Sequence, residues 1–227
     1  MSRFLKFFII IILINPFFHV NAHVEHYENL NRIEFDIYRN NKNIGKHIFS
    51  FKKFEDRLEV ESEINFEIKK LGIVLYKYHV LGTEIYKDGK LVKFNSKTNQ
   101  NGKLKYVNLE EKNGEYNIDG SSFKGKVPDS YLLGTWWNHS IIKAPAQISA
   151  VSGRIIAQKV KFIGKETIKV DEKSYEALHF NFSSSDEKLD KSKRLNTDVW
   201  YDEETLNWIK ASFDKKGKWE YKIVLIE

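Results

Sequence analysis

Three of the four Asx-Gly pairs, Asp88-Gly89, Asn101-Gly102 and Asn113-Gly114, punctuate a chain that otherwise alternates apolar and polar side chains. Asn, Asp and Gly tolerate the positive φ needed at both centres of a type I′ turn, whose twist matches that of the flanking strands. A two-residue turn joins only antiparallel neighbours. The chain is therefore constrained to an antiparallel meander before any other feature is considered. Residues 32–39 place Ile33, Phe35 and Ile37 on one face, and a turn through residues 40–43 with Gly45 returns the chain as a strand over 46–54. Leu58, Val60, Ile64, Phe66 and Ile68 continue the period of two, interrupted only by Ser62. Residues 73–86 are apolar on both faces, the mark of a central or covered strand. Strands follow over 91–99, 104–111 and 115–118, and again over 147–151, 154–163, 167–170, 175–182, 196–201, 208–213 and 219–226. About a dozen antiparallel strands cannot remain a flat open sheet, so it must close or have its concave face filled. The expected fold is mainly β: a large curved antiparallel meander, half-barrel or open barrel.

Residues 129–138 break the alternation. Pro128 closes a loop, Asp129 or Ser130 has the side chain of a helix cap, and Leu132, Leu133, Trp136 and Trp137 follow at the spacings of one helical face. This spacing predicts one short helical plug lying on the sheet, weakened by Gly134. The polar stretch 183–194 is read as a mobile hairpin loop.

The first 22 residues read as a signal peptide, with an uncleaved membrane anchor as the alternative. Arg3 and Lys6 supply a basic start, residues 7–14 an apolar run, and Val20-Asn21-Ala22 a small-residue cleavage site. Cleavage there leaves residues 23–227 as a single β-rich domain, with 23–31 a loose lead-in. It also leaves no stable membrane span and places the protein in the periplasm or outside the cell. The 227-residue chain has no cysteine, which excludes disulfides, catalytic thiols and thiolate metal sites. Its formal charge of +6 falls by two to +4 without Arg3 and Lys6 and is spread rather than clustered, so no nucleic-acid partner is expected.

Several phrases resemble a known family in the same order. They are Phe35-Asp36-Ile37-Tyr38-Arg39, Ile44-Gly45-Lys46-His47, Trp136-Trp137-Asn138, Val199-Trp200-Tyr201-Asp202, Trp208 through Phe213, and Trp219 through Ile223. The chain is similar to an exported bacterial domain-of-unknown-function family, number 6134, over roughly residues 32–226. That resemblance implies no activity. More distantly, the topology resembles the half-barrels of periplasmic lipoprotein carriers, which implies a fold and not a function.

The candidate site is a ligand-binding one, formed by Tyr131, Trp136, Trp137 and Asn138 on the plug with Tyr76 and Tyr78 on the sheet. Adjacent tryptophans on a helix point about a hundred degrees apart, so one is expected to pack and the other to reach a cavity rim. A phenolic hydroxyl suits a partly wet rim. No nucleophile elbow, phosphate loop or zinc-protease spacing is present, so no catalytic, cofactor or metal residue is assigned. His23 and His26 beside the cleavage site are the residues closest to a copper-binding terminus, and His79 and His179 are expected to bond neighbours. The reading is a binding module that holds a lipid or other apolar small molecule between the concave sheet and the plug. The alternative is an envelope structural or assembly protein with a filled interior, and an enzyme is the reading with the least sequence support. Neither the identity of the ligand nor the oligomeric state is legible.

Overall fold

The computed structural model describes Tyr27 and residues 29–227. The expected signal peptide, His23 and His26 lie outside the described residues. The first half of the chain contributes Arg32–Arg39 (β1), Lys42–Phe54 (β2), Arg57–Lys70 (β3), Ile73–Lys87 (β4), Lys90–Gln100 (β5), Lys103–Lys112 (β6), Glu115–Gly120 (β7) and Lys124–Pro128 (β8). The second contributes Leu132–Leu133 (β9), Ala146–Ile148 (β10), Ile155–Val170 (β11), Lys173–Ser184 (β12), Asn196–Asp202 (β13), Trp208–Asp214 (β14) and Lys218–Ile226 (β15). At the three Asx-Gly turns both central residues have positive φ, as at Asn101 (52°) and Gly102 (85°). The hairpins follow from that backbone preference.

All these strands form one sheet, in the order β8-β7-β6-β5-β4-β3-β2-β1-β15-β14-β13-β12-β11-β10-β9. Each half is a meander, and the halves meet where β1 pairs antiparallel with β15. The one parallel pair among the described strands is β9 with β10. The two edge strands, β8 and β9, are consecutive in sequence, with only residues 129–131 between them. At ~3.5 Å per residue, Pro128 and Leu132 are at most about 14 Å apart. A sheet whose outermost strands are so tethered must curl until its edges lie near each other. It does so without closing its hydrogen-bonding ladder. The seam is bridged instead by the turn between β10 and β11. Ala150 O accepts from Ser96 Oγ at 2.6 Å, and Ser152 O accepts from the Ser122 N–H at 2.8 Å. A Cβ at Gly120 would lie 2.7 Å from Ser152 O, so this approach requires glycine.

The sequence-predicted helical plug is not a helix. Leu132 and Leu133 are extended and pair with Gln147 and Ile148 of β10, and the Gly134 N–H continues to Ile148 O at 2.9 Å. Trp136 has φ of 60°, a left-handed turn no right-handed helix contains. A short strand followed by a turn reproduces the three-and-four spacing of a helical face. The nearest helical element is a 3-10 turn, His139–Lys143, which follows the tryptophans and is capped by Asn138 accepting from the Ser140 N–H at 3.0 Å. Tyr27 and Leu30, in the segment expected to be loose, are buried in the core. The 183–194 stretch folds around Arg194, whose guanidinium donates to Leu189 O and Glu187 O, and contains the 3-10 turn Lys191–Lys193.

Candidate functional site

The inward faces of the strands form two regions. In the first, Trp137 is fully buried, with its ring against Tyr27 (5.2 Å between centroids), Phe51 (5.3 Å) and Tyr86 (5.6 Å). Its indole N–H donates to Glu84 Oε1 at 3.0 Å, and the Tyr86 hydroxyl donates to Glu84 Oε2 at 2.5 Å. Burial pushes the Glu84 carboxyl up to about 7, against hydrogen bonds from Tyr86, Trp137 and Thr135 that pull it down. Asn138 bonds the Tyr86 side chain as well as capping the 3-10 turn. The Tyr27 hydroxyl accepts from the His139 N–H at 3.0 Å. Gln158 donates to the carbonyls of Ile141 and Ala144 and accepts from Gln147. The 131–144 segment is thus held by polar bonds as well as by packing.

The second region is a row of aromatic rings. Trp136 meets Trp208 edge to face (5.6 Å), and Trp208 touches both His47 (5.9 Å) and Tyr221 (5.7 Å). Tyr221 adjoins Phe213 (6.4 Å), Phe213 stacks on Trp219 (5.8 Å), and Trp219 meets Phe66 (5.3 Å). Tyr78 and Tyr76 stack on Phe66 at 4.8 and 6.1 Å. Here buried polar atoms lack partners: His47 Nδ1, Trp208 Nε1 and Trp136 Nε1 make no hydrogen bond within the described protein. Burial alone pushes the His47 imidazole down to about 3, so it is neutral at ordinary pH. Buried polar atoms in native proteins nearly always have a partner, and here three without one lie in touching rings.

Trp136 also lines a cleft of about 410 Å³. Its apolar surface comes from Trp136, Ile156, Leu195 and Phe213. Arg154, Lys191, Arg194 and Lys215 surround it, with Asp214 as the one acid.

The structure therefore divides the sequence-predicted site residues. Trp137 and Asn138 belong to the packed region, and the partly buried Tyr131 packs against the core. Trp136 lines the cleft, while Tyr76 and Tyr78 stand at the far end of the aromatic row and do not line it. Sequence reasoning missed Glu84 and left His47 without a role. Both were visible in phase: Glu84 shares the inward face of β4 with Tyr78, Val80 and Tyr86, and His47 that of β2 with Phe49 and Phe51. His79 and His179 do bond neighbours, the first Glu63 at 2.9 Å and the second Glu166 and Asp198 at 3.0 and 3.2 Å. Among the described residues no helix is long and apolar enough to cross a membrane.

Comparison with known proteins supports this architecture. The family model described as "Domain of unknown function (DUF6134)" matches residues 35–224. The chain belongs to that family. The match runs from the middle of β1 to β15, so it takes in both inward-facing regions apart from Tyr27. No curated protein sequence matches the chain. Among solved structures, the DUF6134 chain is similar to a β-barrel-like protein of the domain of unknown function DUF1849 from Brucella abortus. The TM-score is 0.60 at 11% identity, over 87% of this chain and 97% of that one. At such identity the likeness concerns the fold alone. A Bacteroides fragilis protein of predicted export with a YmcC-like fold aligns over 86% of this chain and 94% of its own, at 9% identity. Its TM-score of 0.35 carries no argument.

Proposed function

We propose that the protein is an exported binding module that holds a lipid-like amphipathic molecule beside Trp136. The observation that carries the reading is the contact of His47, Trp208 and Trp136, whose buried ring nitrogens have no partner within the described protein. The Trp136 indole, which lines the cleft, is a donor only, so its complement is an acceptor such as a carboxylate, ester or phosphate oxygen. The adjoining cleft offers an apolar wall for a hydrocarbon part and a mostly cationic margin for an anionic part. Export, expected from the N-terminal sequence pattern, would bring such a module to a compartment where apolar molecules need carrying through water. The second reading, an envelope assembly module with a filled interior, draws on the packed region around Trp137, where the carboxyl of Glu84 has protein donors.

The test is titration of delipidated protein with fatty acids and phospholipids, followed by tryptophan fluorescence and native mass spectrometry. Saturable quenching is expected, weakened on the order of tenfold by Trp136→Phe, which keeps a ring and removes one donor. No saturable change with any ligand, and a native mass free of lipid, would favour the packed module.

A further inference from the structure

The turn between β3 and β4 differs from the other hairpin tips in exposing a leucine at positive φ; Leu206 (φ 52°), in the β13–β14 connection, shares that backbone conformation but is partly covered. Asn40-Asn41, Asp88-Gly89, Asn101-Gly102, Asn113-Gly114 and Lys216-Gly217 all put polar residues or glycine at positive φ. At the β3–β4 turn the corresponding pair is Leu71 (φ 51°) and Gly72 (φ 79°), and Leu71 is 94% exposed. Leucine is disfavoured there twice, by crowding of its Cβ in the left-handed region and by contact of its side chain with water. The following residues extend the anomaly. Ile73, Val74 and Leu75 are 66%, 37% and 55% exposed.

The tip also projects. β2 pairs with β3 only as far as Phe66, and β5 pairs with β4 only from Tyr78 onward. Lys77 still holds the β5–β6 turn, its carbonyl accepting from the Asn101 N–H at 2.8 Å, and beyond it β3 and β4 pair with each other alone, through Lys70 and Ile73. At ~3.4 Å per residue, the stretch from Lys77 to Ile73 stands roughly 13 Å clear of the sheet. Lysines flank it, with Lys70 opposite Ile73, Lys69 opposite Val74 and Lys77 opposite Glu67. Lys69 and Lys77 share Glu67 at 3.0 and 3.1 Å, and with Lys70 they leave two positive charges in excess.

We propose that this hairpin is a membrane-docking tip, inserting Leu71, Ile73 and Leu75 among the acyl chains of an anionic lipid surface while the lysines meet headgroups. The apolar residues lie within the depth to which peripheral elements enter the boundary between headgroups and acyl chains, about 5–10 Å. Cationic residues flanking an apolar tip complement the negative surface potential of such a membrane. A narrow convex finger has no concavity to embrace a rigid partner, whereas lipid conforms to it. Docking would bring the Phe66, Tyr76 and Tyr78 stack, just inward of the tip, toward the membrane. The proposal does not depend on the ligand reading.

The test is co-sedimentation of the purified protein with vesicles of phosphatidylglycerol and phosphatidylcholine, and with phosphatidylcholine alone. Leu71→Asn restores the residue that other turns of this chain use, so this variant keeps the fold and its thermal midpoint does not fall. Wild type is expected on the mixed vesicles, with less on phosphatidylcholine and less at high salt. Leu71→Asn with Leu75→Ser should reduce partitioning on the order of a hundredfold. Lys70→Gln should reduce it a few-fold. Wild type that sediments with neither vesicle overturns the proposal and leaves a protein partner for the tip. So does a double variant that binds as well as wild type. Fluorescence titration of the double variant with soluble fatty acid should be unchanged, which separates this result from failure of the ligand site.

Discussion

The Trp137 region and the Trp208 region both lie on the inward face of one sheet, and both central indoles are fully buried. They differ in what happens to polar atoms. Around Trp137 the indole N–H meets Glu84, Tyr86 meets the same carboxyl, and the two glutamines are bonded. Around Trp208 its own nitrogen and those of His47 and Trp136 have no partner within the described protein. Apolar burial alone does not distinguish the two regions. The fate of buried donors and acceptors does, and leaving one unmet costs more than a formed bond returns.

The largest expected effect tests the packing side of that contrast. Trp137→Ala should cost about 3–5 kcal/mol in urea unfolding, while Trp136→Ala, at the cleft, should cost clearly less. Equal losses would abolish the distinction. Titration should next separate the regions by sign. Glu84 has its folded value raised from 4.5 to about 7, so its contribution is complete below pH 4.5 and is lost as pH rises to 7. The loss is on the order of 3 kcal/mol. Thermal midpoints of Glu84→Gln against wild type between pH 4.5 and 8 should show the wild type falling relative to the variant. His47 has its folded value lowered from 6.5 to about 3, so its contribution is present above pH 6.5 and lost as pH falls. His47→Phe should flatten that acid limb. The smallest effect isolates one atom in each region. Trp137→Phe deprives Glu84 of a donor and should cost about 1–3 kcal/mol more than Trp208→Phe, whose lost N–H had no partner. Chemical denaturation of the two variants side by side would reveal any reversal.

Local signals carried most of the fold. The Asx-Gly pairs and the period-two faces of residues 32–39 and 58–68 act over a few residues, and the strands lie where those patterns put them. The turn at Leu71-Gly72 escaped because its first residue has no turn preference, only a place in a backbone that imposes one. The helix expected over 129–138 failed because tertiary pairing of β9 with β10 overrode a spacing that strand and turn can mimic. The site was less legible for the same reason at longer range. The phase of Glu84 is local, but its partner Trp137 lies 53 residues away. Nothing in either neighbourhood announces the other. The aromatic row likewise joins Phe66 of β3 to Trp219 of β15, through a curvature that no single stretch encodes.

The ladder between β1 and β15 bears on how the chain is made. Ile33 pairs with Ile226, so the outer edge of β1 is synthesised long before its neighbour. At ~5–20 residues per second, that edge waits roughly ten to forty seconds with its backbone donors and acceptors unclaimed. The first eight strands can meanwhile form by neighbour-to-neighbour hairpins, whereas joining the halves requires the most distant pairing in the sheet. An unclaimed edge is a template for another chain. Newly made molecules are therefore most exposed to mispairing with one another along β1, and the arrival of the last strand ends that exposure.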